Sequence, residues 1–395
     1  MTQPQCSGKV SCPSPAEQVG FPNMEPMSGQ FTAGPGSERH ILEQCMLQLR
    51  RHLPPSWTSS ESSAPHASDL MDAGAIIGSP SGETTQLIIH TRRALAGRDV
   101  GLVAGQFEGL LHRWPKAVPV VATSYLSPTV RDRLRTMGLS HVDTTGNIWL
   151  VASRPGLFIL TQGANSDPWR RPGRPRGTLK GVPAAKVVRA LLDFSQPWAI
   201  RDLITHSGAS VGATYRVIDY LEREGLIDRS GKSAITVPSW RALLEAWAHD
   251  YDFFRAGHVS TYLAPRGLPW LMHRVAESDG VRYAVTGSLA VPPDARYASP
   301  RAAMIYVESA AAAREAWDLR PAESGQNVLL CESPGSAAFH RARPTNDPYV
   351  DPAGDVVLAR PAQVAVDLMA APGRGPEEAQ ALLDWMERNE PAWRE

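Results

Sequence analysis

Apolar positions between residues 184 and 240 recur at helical spacing in three successive runs and then shift to short extended stretches. In AAKVVRALLDF, the residues Val187, Val188, Ala190, Leu191 and Phe194 form one helical stripe. QPWAIRDLITHSG predicts a second, shorter helix closed by Gly208, since glycine readily takes the left-handed conformation that ends a helix. Ser210 is placed to cap a third helix, VGATYRVIDYLEREGL, with Val217, Ile218 and Leu221 on its apolar stripe and Gly225 at its end. Thr214, Tyr215 and Arg216 lie near its start and mostly off that stripe. LIDRSGKSAITV then predicts two short strands around a Ser-Gly-Lys turn. Helix, helix, turn, helix and hairpin in that order predict a winged helix-turn-helix over 183–240.

The pattern on either side differs. Residues 1–80 are rich in Pro, Ser, Gly and Gln and are expected to be mostly disordered, with Met71 an internal candidate start. The exception is 37–53, where Ser37 can cap a helix striped by Ile41, Leu42, Cys45, Met46 and Leu49. Residues 84–163 read as a small α/β domain. AVPVVATSYL is a strand-like run, and SPTVRDRLRTMG is a helix with Ser127 as cap, Pro128 at its first position and Gly138 as stop. LSHVDTTGNIWLVAS is a hairpin. A basic Pro/Gly/Arg linker occupies 164–182. Beyond 240 the helix-like run around Leu243, Leu244, Trp247 and Tyr251 opens a C-terminal α/β domain over 241–395. The expected fold class is α+β multidomain.

The central unit suggests chemistry by its geometry. The second helix of such a pair can enter the major groove with its N-terminal residues facing base edges. Ser210, Gly212, Thr214, Tyr215 and Arg216 are the candidates there; Arg216 suits guanine or a phosphate. Arg229 and Lys232 at the wing suit phosphate or minor-groove contact. In the linker, PGRPRG is similar to the core of an AT-hook around Gly173-Arg174-Pro175, with Pro172 where that motif has Arg. Arg174 and Arg176 are therefore candidates for an arm in a narrow minor groove, against the plainer reading of a linker. A winged helix that only packs against a protein partner is the alternative for the whole unit.

Composition narrows the picture. Net charge is zero, with 40 basic and 40 acidic residues, so any nucleic-acid footprint must be local. Residues 166–240 supply one: 12 Lys and Arg against 7 Asp and Glu, a balance of +5. Cys6, Cys12, Cys45 and Cys331 form no C-x-x-C pair, which points away from a zinc site or a disulfide framework and toward the cytoplasm. No apolar run is long enough for a membrane span, and the N-terminus lacks the pattern of a secretory signal. No cofactor is expected.

Two acidic or glycine-rich sites invite enzymatic readings. Asp143 would suit a metal-dependent nuclease only with a second acid and a Glu-x-Lys on the next strand. That strand reads NIWLVAS, so Asp143 and Asn147 are expected to shape a turn. The Thr-Gly-Ser turn at 286–288 is similar to the phosphate-binding turn of nucleotidyltransferases. Those enzymes then need an Asp-x-Asp pair for Mg²⁺ on the following strand, where this chain has Ala302 and Met304. Glu308 lies past that strand. No catalytic and no metal-binding residue is expected.

The segment IRDLITHSGASVGATYRVIDYLEREGLIDR resembles winged helices of the IclR and related bacterial regulator type. YLSPTVRDRLRTMGLSHVDTTGNIWL, the central unit, and YAVTGSLAV followed by PAQVAVDLMAAPGRGPEEAQALLDWM together resemble the AbiEi family of type IV toxin–antitoxin antitoxins. The resemblance implies a DNA-binding autorepressor that counters a nucleotidyltransferase toxin without necessarily touching it; the Thr-Gly-Ser turn without its acids predicts at most a degenerate nucleotidyltransferase-like C-terminal domain. In the better-known members the winged helix is N-terminal; here it is central. The expectation is thus a non-enzymatic regulator that binds double-stranded DNA at its own promoter or operator. A homodimer would follow from a palindromic operator. The alternative is an interaction protein that neutralises a toxin or scaffolds a complex through its C-terminal domain.

Overall fold

The structure, a computed structural model, describes residues 36–62, 72–169, 178–195, 197–230, 234–345 and 356–395. Its first part is built from α1 (Glu38–His52), β1 (Thr58–Ser62), β2 (Ala73–Gly78), β3 (Thr84–Arg92), α2 (Val100–Arg113), β4 (Val118–Thr123), α3 (Pro128–Thr136), β5 (Ser140–Asp143), β6 (Ile148–Ala152) and β7 (Leu157–Thr161). The strands form one seven-stranded sheet in sequence order. β3, β4 and β5 are parallel, and the pairs outside them are antiparallel. The parallel strands need crossovers, and α2 and α3 supply them. Along β3 the side chains alternate: Ile88 joins Val100, Phe107 and Leu134 under α2 and α3, and Ile89 joins Ile41, Cys45 and Leu49 under α1.

Residues 1–80 were expected to be mostly disordered apart from a helix at 37–53; within them the structure describes that helix as α1 and adds β1 and β2. α1 covers one face of the sheet, its Ile41, Cys45 and Leu49 at most 2% exposed, and β2 is an interior strand. The Cys45 thiol donates to the carbonyls of Thr123 and Val142, both 3.6 Å away. The helix was legible from its stripe; β1 and β2 were not, since TSSES has no apolar residue and AGAIIG is a short run among Pro, Ser and Gly. Residues 1–35 lie outside the described residues. α1 and β1 lie upstream of Met71, so a chain begun there would leave this sheet face bare.

Next come α4 (Val182–Asp193), α5 (Ile200–Ser207), α6 (Val211–Arg223) and the two-stranded ribbon of β8 (Asp228–Ser230) and β9 (Ala234–Thr236). This is the order read from the sequence. Trp198 adds a single bridge to Ile235 of the ribbon.

The last part contains α7 (Trp240–Ala248), β10 (His258–Leu263), α8 (Leu268–Ala276), β11 (Tyr283–Thr286), β12 (Ala303–Val307), α9 (Ala310–Ala316), β13 (Arg320–Pro321), β14 (Val328–Glu332), β15 (Arg343–Thr345), β16 (Val356–Leu358), α10 (Pro361–Met369), α11 (Gly375–Arg388) and α12 (Glu390–Trp393). Its sheet runs β13-β10-β14-β12-β11-β16-β15, with β12 parallel to β14 and β11 parallel to β16. Both faces are covered. Ile305 and Val307 of β12 pack with Leu271, Val275 and Trp317 of the α8 and α9 side. Met304 and Tyr306 face α10, and from there the apolar core continues without a break through α4 and α7. The boundary read at residue 240 is therefore not a gap in packing. α4 is buried almost all round, down to Arg189 and Asp193, which are at most 1% exposed and pair at 2.9 Å. A helix buried on every side lies between layers rather than on one.

Candidate nucleic-acid interface

α6 begins as its sequence demands. Gly208 takes φ 61° at the end of α5, Ser210 is extended, and the Ser210 hydroxyl accepts from the Ala213 N–H. Val217, Ile218 and Leu221 go into the core. That orientation turns Val211, Gly212, Tyr215 and Arg216 outward, with Val211 56% and Tyr215 44% exposed. A Cβ at Gly212 would meet nothing within 4 Å. The first two turns of α6 thus present an open face carrying a cation, a phenol and a branched apolar side chain. On α5, Arg201, Thr205 and His206 are also exposed.

Two of the predicted contacts are corrected. Thr214 is fully buried, and its hydroxyl donates back to the Ser210 carbonyl at 3.1 Å, so it has no route to a base edge. Arg229 is bound within the chain, 2.9 Å from Asp219 and 3.4 Å from Glu222. There it offsets the two carboxylates that follow Arg216 on α6 rather than standing free for a phosphate. Ser210 is committed to capping. Lys232, Arg174 and Arg176 lie outside the described residues. Val211 is the residue that the sequence reading missed; its signal is a branched apolar residue directly after a capping serine, where the stripe has not yet begun.

The far end of α6 is docked. Ser127 donates to the Glu224 carboxylate at 2.6 Å, and Arg133 donates to the Gly225 carbonyl at 3.0 Å. Asp132 meets His249 at 3.0 Å. Gly97 lies so close that a Cβ there would fall 1.9 Å from the Glu224 carbonyl oxygen. The N-terminal domain therefore grips the C-terminal end of α6 and leaves its N-terminal end uncovered.

The two sites weighed for enzymatic roles have their polar groups bonded within the chain. Asp143 accepts from the N–H groups of Leu126, Thr145 and Asn147 and from the Asn147 amide, which fastens the turn between β5 and β6. Burial pushes its carboxyl above the ordinary range. At the Thr-Gly-Ser turn, Gly287 has φ 65° and a Cβ on it would fall 2.8 Å from the Met304 sulfur. Thr286 donates to Asp367 at 2.7 Å and Ser288 donates to Glu378. The turn is thus closed by its own neighbours. Among the described residues, no three His, Cys, Asp or Glu side chains converge as a metal site would require.

Residues 237–387 match the family model described as transcriptional regulator, AbiEi antitoxin, type IV TA system. Over this stretch the chain is similar to the AbiEi antitoxin family. The AbiEi match begins at Val237, just past β9, and ends at residue 387, so the elements from α7 to α11 carry it and the α4–α6 unit precedes it. No curated protein and no solved structure matches the chain. Among the described residues, no helix is long and apolar enough to cross a membrane.

Proposed function

We propose that the protein is a DNA-binding transcriptional regulator and antitoxin in which α4–α6 and the β8–β9 ribbon act as a winged helix-turn-helix. The observation that carries this is the uncovered N-terminal half of α6, with Val211, Gly212, Tyr215 and Arg216 turned outward. A helix presented this way fits the major groove: Arg216 can bond a guanine or a phosphate, and Val211 suits a thymine methyl. The AbiEi match supplies the regulatory and antitoxin context; a nucleotidyltransferase toxin as partner is what the family resemblance implies. A palindromic operator would engage two copies of the chain.

The test is binding of the full-length protein to its own promoter, against scrambled DNA, over a salt series. A regulator binds selectively with a steep salt slope. Arg216→Ala is expected to weaken selective binding by roughly 1–3 kcal/mol, with less effect on scrambled DNA. An unchanged promoter footprint in that variant rejects α6 as the reading helix.

The match on the C-terminal domain favours a second, compatible reading, in which that domain contacts the toxin directly. Co-purification of the toxin with the full-length chain, undiminished by Arg216→Ala, would support it.

A further inference from the structure

Between the N-terminal domain and the α6–α7 side of the molecule lies a cleft of about 1390 Å³. It opens beyond the carboxyl ends of β3 and β4, where Leu95, Ser124 and Tyr125 line it. In open sheets with parallel strands, that end is where small molecules commonly bind. α6 and α7 contribute Tyr220, Arg223 and His249 to the opposite wall. The three ties described above hold the walls together.

The cleft has acids as well as cations, but the acids are taken up by the protein. Glu224 accepts the Ser127 hydroxyl, and Asp132 lies between Arg135 and His249. Asp250 accepts the Leu179 N–H at 2.6 Å, and Asp167 accepts the Trp169 N–H at 2.9 Å. Arg131 is different. Its two terminal nitrogens donate to the neutral side-chain oxygens of Asn147 and Asn165, and its Nε is buried without a hydrogen-bond partner. Its hydrogen bonds therefore go to neutral groups, and its charge is met only at a distance, by Asp143 and Asp132. Arg223 is half-exposed on the other wall, lies over the Tyr220 ring at 5.4 Å and stands 3.8 Å from the Glu224 carboxylate, a loose pair that a phosphate on the solvent side would join. Tyr125 and Trp169 add aromatic surface.

We propose that this cleft binds a nucleoside phosphate, with the phosphate between Arg131 and Arg223 and the base against the aromatic wall. The volume exceeds what a bare anion needs, and guanidinium groups pair with phosphate in two-pronged fashion. The site is distinct from the DNA-reading face of α6, which lies at that helix's other end.

The test is calorimetric titration of the DNA-free, full-length protein with ATP and GTP, with adenosine and inorganic phosphate as the two halves. At least one nucleotide is expected to bind with a dissociation constant below about 1 mM. Inorganic phosphate and adenosine should each bind at least tenfold more weakly. Arg223→Ala, on the exposed rim, should weaken nucleotide binding at least fivefold with an unchanged melting temperature. Arg131→Gln should do the same if it folds; Arg223→Ala decides the matter if it does not. Failure of both nucleotides to bind overturns the proposal. So does phosphate binding as tightly as nucleotide, or nucleotide binding that is unaffected by Arg223→Ala. None of these readouts uses DNA, so the outcome is independent of the promoter test.

Discussion

Asp367 is fully buried on α10 and accepts hydrogen bonds from Thr286, Tyr306 and Gln363. Those three donors, with Arg189 near by, favour its charge, yet burial outweighs them and pushes its carboxyl up to about 7. The unfolded carboxyl titrates near 3.8, so between the two values the folded state keeps a proton that the unfolded state has released. Stability should therefore fall as pH rises from about 4 to about 7 and flatten above. Asn mimics the protonated acid. Asp367→Asn should match the parent near pH 4 and exceed it at pH 8, by up to about 4 kcal/mol for a shift of this size. Denaturation curves at the two pH values check it, and parallel pH profiles for parent and variant would reject it. Thr214 was legible and misplaced: it stands three, four and seven residues before Val217, Ile218 and Leu221, so helical spacing puts it on the buried stripe, and its hydroxyl satisfies itself on the Ser210 carbonyl one turn back. Arg189 and Asp193 sit on a helix whose apolar stripe is plain in the sequence, but their burial depends on a partner layer more than 100 residues away, at Ala337 and Gln363.

Elements with strong periodicity were the most legible. Ser127 and Pro128 opened α3, Gly208 closed α5, and Ser210 capped α6 as their residue types require. The alternation of Met304 and Tyr306 against Ile305 and Val307 became the two buried faces of β12. β1 was invisible because its five residues, TSSES, contain nothing apolar; it is an edge strand held by backbone pairing to β2. α1 was legible as a helix but not as a load on the sheet, since periodicity names a buried face without naming what buries it. Its Leu49 is 2% exposed among Ile89, Val142 and Leu150. Leu49→Ala should cost about 2–5 kcal/mol, the range for a leucine truncated in a closed core. Chemical denaturation measures this, and a cost below about 1 kcal/mol would mean that α1 does not cover the sheet.

At the scale of the molecule, α4 and α7 join the α4–α6 unit to the C-terminal domain through one core, whereas the N-terminal domain touches that unit through a few polar ties and one close backbone approach. The approach is at Gly97, where any side chain would collide with the Glu224 backbone. Backbone cannot swing aside as a lysine tip can, so Gly97→Ala must push the two domains apart. The ties from Ser127 to Glu224 and from Arg133 to Gly225 should be lost with it. Hydrogen exchange is expected to quicken at Gly225 and Leu226, whose amides close the end of α6 on Glu222 and Leu221. The first turn of α6 lies at the opposite end, capped by Ser210 and independent of that contact. Exchange at Ala213 and Thr214 should stay as it was, and promoter affinity should change less than twofold. Faster exchange along the whole of α6, with a matching loss of promoter affinity, would instead mean that the N-terminal domain holds the reading end in place.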